Sequence, residues 1–328
     1  MTQDDAPVGA VPPLEEAPEA SGKQPSLAGE RVVARILRDM GVERRQLLGE
    51  GGEGLVFAYD TGSVLKVYKR TTSEYLRTLQ ALQVTLANAA LPFATPEIRE
   101  IRQVGQVFYT IEKKLDGRQL DDRLATLSEG ETLRALAAYV DALQALHAVA
   151  LPAEPYGQYL PTADRIQAAT WRAFLLAKVE QRARVSWSWL ERDVPRLAEK
   201  LRALQRLIAD TVDEPRKGLV HGDYSQYNVL LNDSLEVSAV LDFSLYTVVG
   251  DHRLDVACAV IFPEICEALR ASDLRFLRSR AVRTYSADIA HAIRLYRLVY
   301  AFYDADNYGH NQTIYAKCVE AIKNSGLD

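Results

Sequence analysis

The apolar pattern of this 328-residue chain changes character between about residues 112 and 117, from mainly β-branched and aromatic runs to mainly stripes of period 3.6. The organisation to explain is therefore a small β-rich lobe followed by a large helical lobe. Residues 43–112 carry the runs LVFAY, SVLKVY, EIREIRQV and QVFYTIE, broken by DTGS and by Gly105. Their β-branched and aromatic content predicts hairpins of an antiparallel sheet. One helix interrupts them from about Thr72 to Asn88, with Leu76, Leu79, Leu82 and Leu86 at helical spacing, and another precedes them in ERVVARILRDMG, stopped by Gly41. After Gly117 the stretches ETLRALAAYVDALQALHAVA and RIQAATWRAFLLAKVEQRARVSWSWLERDVPRLAEKLRALQRLIA carry helical stripes. Short apolar pieces around Asp223 and Asp242 predict brief strands. The expected organisation is a tail over residues 1–28, a β-rich lobe over 29–114 and a helical lobe over 115–328.

The tail is rich in Pro, Ala, Glu and Gly and is expected to be disordered, because it cannot bury enough apolar surface to offset chain entropy. The first 30 residues of the chain hold six acids and one lysine, which accounts for the whole net charge of −5 and leaves the remainder neutral. A balanced remainder gives no basic footprint, so no nucleic acid and no membrane are expected as partners. No apolar run reaches the ~20 residues of a bilayer span. The three cysteines, Cys258, Cys266 and Cys318, form no metal knuckle or paired framework, and a cytoplasmic location is expected.

Four local patterns carry chemistry. GEGGEGLV places Gly49, Gly51, Gly54 and Val56 in G-x-G-x-x-G-x-V register. A dinucleotide-binding loop would open a helix and place an acid about twenty residues on, and Glu74 has that spacing. The segment after the glycines reads as a hairpin instead, which leaves a phosphate-covering loop or a plain tight turn. Lys66 lies inside the apolar strand VLKVYKR, where an amine either meets an anion or snorkels from an edge. Glu74 is the only acid between Lys66 and Glu97, so it is the expected ion-pair partner of Lys66; the rival is a capping box begun by Thr71. In VHGDYSQYNVLL, Asp223 and Asn228 stand five apart, as in a catalytic loop H-x-D-x-x-x-x-N, although Asp, Asn and Gly also make ordinary turns. Asp242 closes the apolar run VSAVLDF, either to meet a cation or as a strand-end cap. Asp251 and Asp255 in GDHRLDVA share a helical face and read equally well as helix N-terminal acids.

Together these residues resemble the aminoglycoside phosphotransferase and choline kinase branch of the protein-kinase-like superfamily, from about residue 44 to 260. HGDYSQYN has Gly222 where protein kinases usually show Arg. LDGRQL, ALQALHAV and GD…LDVA are similar to the branch's linker, helix and follow-on motif. The resemblance implies an α+β bilobal protein-kinase-like fold, with a small antiparallel N-lobe carrying one helix, a large helical C-lobe and a substrate-binding helical insert over about 156–217. It implies Mg2+ as cofactor, ATP (or GTP) as phosphate donor and a small-molecule acceptor with a hydroxyl: an aminoglycoside-type antibiotic, a sugar or an amino alcohol. Carried over, Gly49, Gly51 and Gly54 cover the phosphates, Lys66 grips them and Glu74 holds Lys66. Lys113 and Leu115 meet adenine through the linker backbone. Asp223 is the catalytic acid/base, Asn228 and Asp242 are the metal ligands, and Asp251 and Asp255 brace the catalytic loop. Ser244 replaces the glycine that protein kinases have after Asp-Phe, and an alanine-proline-glutamate signature is missing, which disfavours a protein serine/threonine kinase. A non-catalytic pseudokinase is disfavoured because Lys66, Asp223, Asn228 and Asp242 are all present. The insert from Pro161 to Lys217 holds twelve Arg or Lys and eight Asp or Glu, which points away from a polycationic acceptor. The tyrosines of YRLVYAFYDADNYGHNQTIY, and Trp171, Trp187 and Trp189, are expected to pack in the core rather than shelve a ligand.

Overall fold

A computed structural model describes residues 27–151 and 153–327. The tail over residues 1–28 falls outside the described residues except at its end, where helix α1 (Leu27–Asp39) begins. Five antiparallel strands follow: β1 (Leu47–Glu50), β2 (Gly54–Asp60), β3 (Ser63–Tyr68), then β4 (Ile98–Val104) and β5 (Val107–Lys113) after helix α2 (Ser73–Asn88). They pair in the order β1-β2-β3-β5-β4. Alternation along β3 decides what each face does. Leu65 and Val67 point into a small core with Ile36 and Leu37 of α1, Phe57 and Tyr109. The next residue in each pair, Lys66 and Tyr68, therefore faces the opposite side of the sheet. There Tyr68 joins the large core with Leu76, Leu79, Leu82 and Leu86 of α2.

The second lobe contains β6 (Arg118–Gln119), α3 (Leu120–Leu124), α4 (Glu129–His147), β7 (Tyr156–Gln158) and β8 (Gln167–Ala168), then α5 (Trp171–Asp193) and α6 (Leu197–Thr211). It continues with β9 (Gly218–Val220), β10 (Val229–Leu231), β11 (Val237–Val240), β12 (Val248–Gly250), α7 (Arg253–Ile261), α8 (Ala271–Tyr285), α9 (Ile289–Tyr303) and α10 (Gln312–Lys323). The strands form two small sheets, β11-β10-β6 and β8-β7-β12-β9. Sequence periodicity anticipates the pieces around Asp223 and Asp242 but not β7 or β8, which are too short to carry a pattern. The long stripe expected from Arg165 divides in two, because Pro195 cannot continue α5 and Arg196 takes a left-handed φ of 57° before α6 starts.

The lobes are joined beyond their linker. The Ala94 N–H donates to Ser238 O at 2.9 Å and Ala94 O accepts from Val240 N–H at 3.0 Å, so the approach to β4 pairs briefly with β11. Trp171 is fully buried, as its sequence context predicts. Its indole N–H donates to the Tyr296 hydroxyl at 2.9 Å, which donates onward to Asp251 at 2.6 Å. Gly250 permits this: a Cβ there would lie 2.1 Å from the Trp171 ring. Gly250→Ala is therefore expected to destabilise the protein by ~1–3 kcal/mol through overpacking, read as a lowered thermal midpoint with the fold's circular dichroism preserved.

Candidate active site

The stretch from His221 to Asn228 links β9 to β10 and is fixed from beneath by one buried carboxylate. Asp255, on α7 and 0% exposed, accepts the backbone N–H groups of His221 and Gly222, each at 2.8 Å. Gly222 has a φ of +80°, and a Cβ at that residue would stand 1.9 Å from Tyr246 O, so only glycine fits. Its carbonyl accepts from the Tyr300 hydroxyl at 2.6 Å. The Asp223 N–H donates to His221 Nδ1 at 3.2 Å, which leaves the proton on Nε2, 2.6 Å from Leu241 O. His221 is thus a neutral strut between the loop and the end of β11. The two acids divide: Asp255 receives the loop, whereas Asp251 accepts Arg253 N–H at 3.0 Å at the start of α7 and also receives Tyr296, so it fixes helices and not the loop.

Asp223 and Asn228 meet as their spacing predicts. The Asn228 side-chain N–H2 donates to Asp223 O at 2.8 Å and to Asp223 Oδ2 at 3.0 Å. That fixes the amide and leaves its oxygen, Oδ1, as the pole for a cation. Antiparallel pairing of Val229 with Val240, and Leu241 N–H donating to Asn228 O at 2.8 Å, place Asp242 beside Asn228. Asp242 has a left-handed φ of 56° and ends β11 with a half-exposed carboxylate. From there the chain reaches β12 through a turn closed by Thr247 N–H on Ser244 O, with no space for an activation segment. Burial, then the charges of Asp242 and Asp304, push the Asp223 carboxyl up to about 8. An oxygen-rich corner with two carboxylates in mutual repulsion suits a hard divalent cation that brings its own phosphate and water ligands. Among the described residues no three His, Cys, Asp or Glu side chains would hold a metal by themselves.

Lys66 extends across the cleft toward this corner, with Nζ 3.6 Å from Asp242 Oδ1. Its close partner is Glu53, at 2.9 Å, not Glu74. Glu74 is exposed at the start of α2, because the N-cap is Thr72, whose hydroxyl accepts from Tyr75 N–H at 3.1 Å. That single-residue register removes both sequence readings of Glu74, the ion pair and the Thr71 capping box. It turns Tyr75 inward instead, and the Tyr75 hydroxyl donates to Glu53 Oε1 at 2.5 Å. Burial works against the charged form of Lys66, but Tyr68, Glu53, Asp242 and Glu112 outweigh it and hold the amine well above its ordinary range.

The glycines lie on a strand–turn–strand: β1 pairs with β2 through Leu47 and Phe57, and Gly51 N–H donates to Gly54 O at 3.0 Å. A Cβ on Gly54 would come within 2.2 Å of Val67 O, so the close approach of β2 to β3 requires glycine there. Gly49 and Gly51 have open space and are not sterically required. In the linker, Lys113 N–H is already used by Glu97 O at 2.9 Å, so a base can meet that residue only through its carbonyl or side chain. Leu115 is half-buried.

A cavity of about 300 Å³ opens beside Asp223 and Asn228, walled by Phe262, Ile265, Tyr300, Ala301, Asp304 and Ile314 among others. The sequence expectation divides here. Tyr296, Tyr300, Tyr303 and Tyr315 do pack in the core while Tyr308 is exposed, yet α9 and the turn after it also form the cavity wall. No residue of the helical insert over 156–217 lines it. The insert acts from behind: Arg182 of α5 donates to Tyr303 O at 2.8 Å and pairs with Asp306.

Residues 44–290 match the phosphotransferase enzyme family. None of the curated proteins compared with the chain matches it. Among solved structures, the streptomycin–ATP ternary complex of APH(2")-IIa is similar at 17% identity and a TM-score of 0.59, over 90% of this chain and 97% of that one. The GDP complex of aminoglycoside 2'-phosphotransferase-IIIa is similar at 14% identity and 0.60, over 90% and 97%. Macrolide 2'-phosphotransferase MphH from Brachybacterium faecium is similar at 17% identity and 0.53, over 89% and 98%. At these identities the likeness is one of fold.

The position of Asp223 has a consequence for stability. Its folded-state value near 8 lies above the ordinary 3.8, so the native protein holds a proton that the unfolded chain releases between those limits. That contribution is present below the lower value and is lost as pH rises toward the upper one. Asp223→Asn is therefore expected to raise the thermal midpoint of the ligand-free protein by ~2–4 °C at pH 8 and above, with the gain shrinking toward pH 4. A gain independent of pH in a melting series would contradict this account.

Proposed function

Because the chain belongs to the phosphotransferase enzyme family, and so is a small-molecule kinase, we propose that it transfers the γ-phosphate of ATP, with Mg2+, to a hydroxyl of an acceptor held against Asp223. The observation that carries this reading is the amine of Lys66 directed across the cleft to within 3.6 Å of Asp242, above the Asp223–Asn228 loop. Gly49, Gly51 and Gly54 would shape the loop that covers the phosphates, and Lys66 would hold phosphate oxygens. The Lys113 carbonyl and Leu115 would meet the base. Asn228 Oδ1 and the Asp242 carboxylate would hold Mg2+, which when bound neutralises charge on the transferring phosphate. Asp223, fixed by Asn228 and basic for a carboxylate, would orient the acceptor hydroxyl and take its proton. Phosphoryl transfer asks little more of a protein than this positioning and charge.

The cavity's charge pairing supports an acceptor with an apolar body and no more than one amine. Glu264 is engaged by both guanidinium nitrogens of Arg297, at 2.7 and 2.5 Å, and has Arg278 at 3.5 Å. Asp306 is taken by Arg182. Besides Asp223, the remaining wall carboxylate is Asp304, which burial and Asp306 push up to about 7 against the through-space pull of Arg182. A polycationic aminoglycoside would find too few unpaired acids, whereas a macrolide or simple amino alcohol would not need them.

Asp223→Ala is expected to leave Mg-ATP affinity within about threefold while turnover falls at least ~100-fold, the scale of a lost general base. Asp242→Ala should instead weaken Mg-nucleotide binding in calorimetry. Equal loss of binding in both variants would contradict the division of roles. γ-Phosphate transfer from ATP and from GTP to aminoglycosides, macrolides, sugars and amino alcohols tests the acceptor. Aminoglycosides should show the poorest kcat/KM, and a preference for them would refute the charge argument.

A further inference from the structure

The glycine loop also holds the lysine beneath it. Glu53 lies between the glycines of that loop, yet its side chain is folded inward and only 16% exposed. Each carboxylate oxygen has one partner: Oε2 takes the Lys66 amine at 2.9 Å and Oε1 takes the Tyr75 hydroxyl at 2.5 Å. The backbone around it is anchored as well, since Glu53 O accepts from Lys69 N–H at 2.8 Å and Lys69 Nζ donates to Gly51 O at 3.0 Å. Helix α2 has no inward acid to offer. Glu74 is its only carboxylate and faces solvent, and the residue turned toward Lys66 is Tyr75.

We propose that Glu53 is the positioning residue of Lys66: the carboxylate that orients the phosphate-binding amine is carried by the glycine loop and is held there by Tyr75 of α2. The proposal rests on the kinase reading of the site. The far side of the amine reaches Asp242, so Lys66 is stretched between a loop acid and a cleft acid and points along the path the phosphates would take. A carboxylate that merely occupied a phosphate seat would not need a second, buried donor behind it. Loop position and lysine direction thereby become one variable: lifting the loop withdraws Glu53 and releases Lys66.

The test uses the full chain, with Mg-ATP binding by calorimetry and ATP turnover, to water or to an accepted alcohol, as separate readouts. Glu53→Gln is expected to lower turnover roughly 10- to 100-fold, the scale of a misplaced catalytic group, while Mg-ATP affinity changes less than about threefold. Tyr75→Phe should move turnover in the same direction by a smaller factor, and Glu74→Gln should leave it within twofold of wild type. Adding Tyr75→Glu to Glu53→Gln returns a carboxylate from the helix side and should recover turnover. Tighter Mg-ATP binding by Glu53→Gln with undiminished turnover would make Glu53 a phosphate placeholder and overturn the proposal, as would wild-type turnover in that variant. If Glu53→Gln does not fold, Tyr75→Phe decides by the same two readouts. Wild-type protein that binds no nucleotide would remove the kinase reading itself, and the proposal with it.

Discussion

One buried carboxylate holds the active-site loop in its shape. Asp255 is wholly removed from solvent and accepts two consecutive backbone N–H groups, from His221 and Gly222. An ion there without donors would cost several kcal/mol, so loop and helix α7 stabilise only each other's correct arrangement. The consequences spread outward. Gly222 adopts a backbone shape closed to other residues, Tyr300 of α9 caps its carbonyl, and His221 reaches Leu241 next to Asp242. A second carboxylate, Asp251, repeats the arrangement one helical turn earlier by receiving Tyr296, which in turn receives Trp171 of α5. The helical lobe is thus organised around two buried acids, one of which fixes the loop that carries Asp223.

Across the cleft the order of dependence is reversed. In the smaller lobe the apolar alternation of β3 comes first, with Leu65 and Val67 committed to the α1 core. Lys66 has no alternative to facing the cleft, because a strand's side chains alternate strictly. Its burial would favour loss of the proton, but surrounding acids and phenols reverse that outcome. The two lobes therefore present complementary features at one place: a cation that has to stay charged, and Asp223, a carboxylate that burial and the charge of Asp242 push toward protonation. That complementarity, more than any single distance, is what a metal-bound polyphosphate would satisfy.

The sequence was most informative where function depends on short spacings within one turn or strand. Asp223 and Asn228, five residues apart, lie within one loop, and Asp242 comes next through a two-stranded ladder, so local chain geometry nearly determines their meeting. Lys66 was legible for a similar reason, as a charge in an apolar alternation. Glu53 was not. It sits among glycines whose pattern directs attention to the backbone, and its partner Tyr75 is separated from it by β2, β3 and a helix cap. The difference between Thr71 and Thr72 as N-cap is one residue in sequence but about 100° around a helix, enough to exchange Glu74 for Tyr75 as the inward side chain. The available signal was that α2 carries a single acid at its very start, beside an acid inside the glycine loop. The short strands β7 and β8 are legible only after β12 is known to lie beside them.

Charge counting over the insert and the pairing of acids in the cavity favour the same kind of acceptor, but the count does so for an incomplete reason. The excess of arginine and lysine between Pro161 and Lys217 does not line the cavity. Its effect arrives through Arg182, which crosses from α5 to the turn after α9, fixes Tyr303 O and takes up Asp306. Asp304, two residues away, faces the cavity and feels Arg182 only through space, so burial and Asp306 still push it toward protonation. On the opposite wall Arg297 and Arg278 do the same for Glu264. The field an acceptor meets is therefore set by which acids are already paired, a property of three-dimensional register, and composition can only correlate with it.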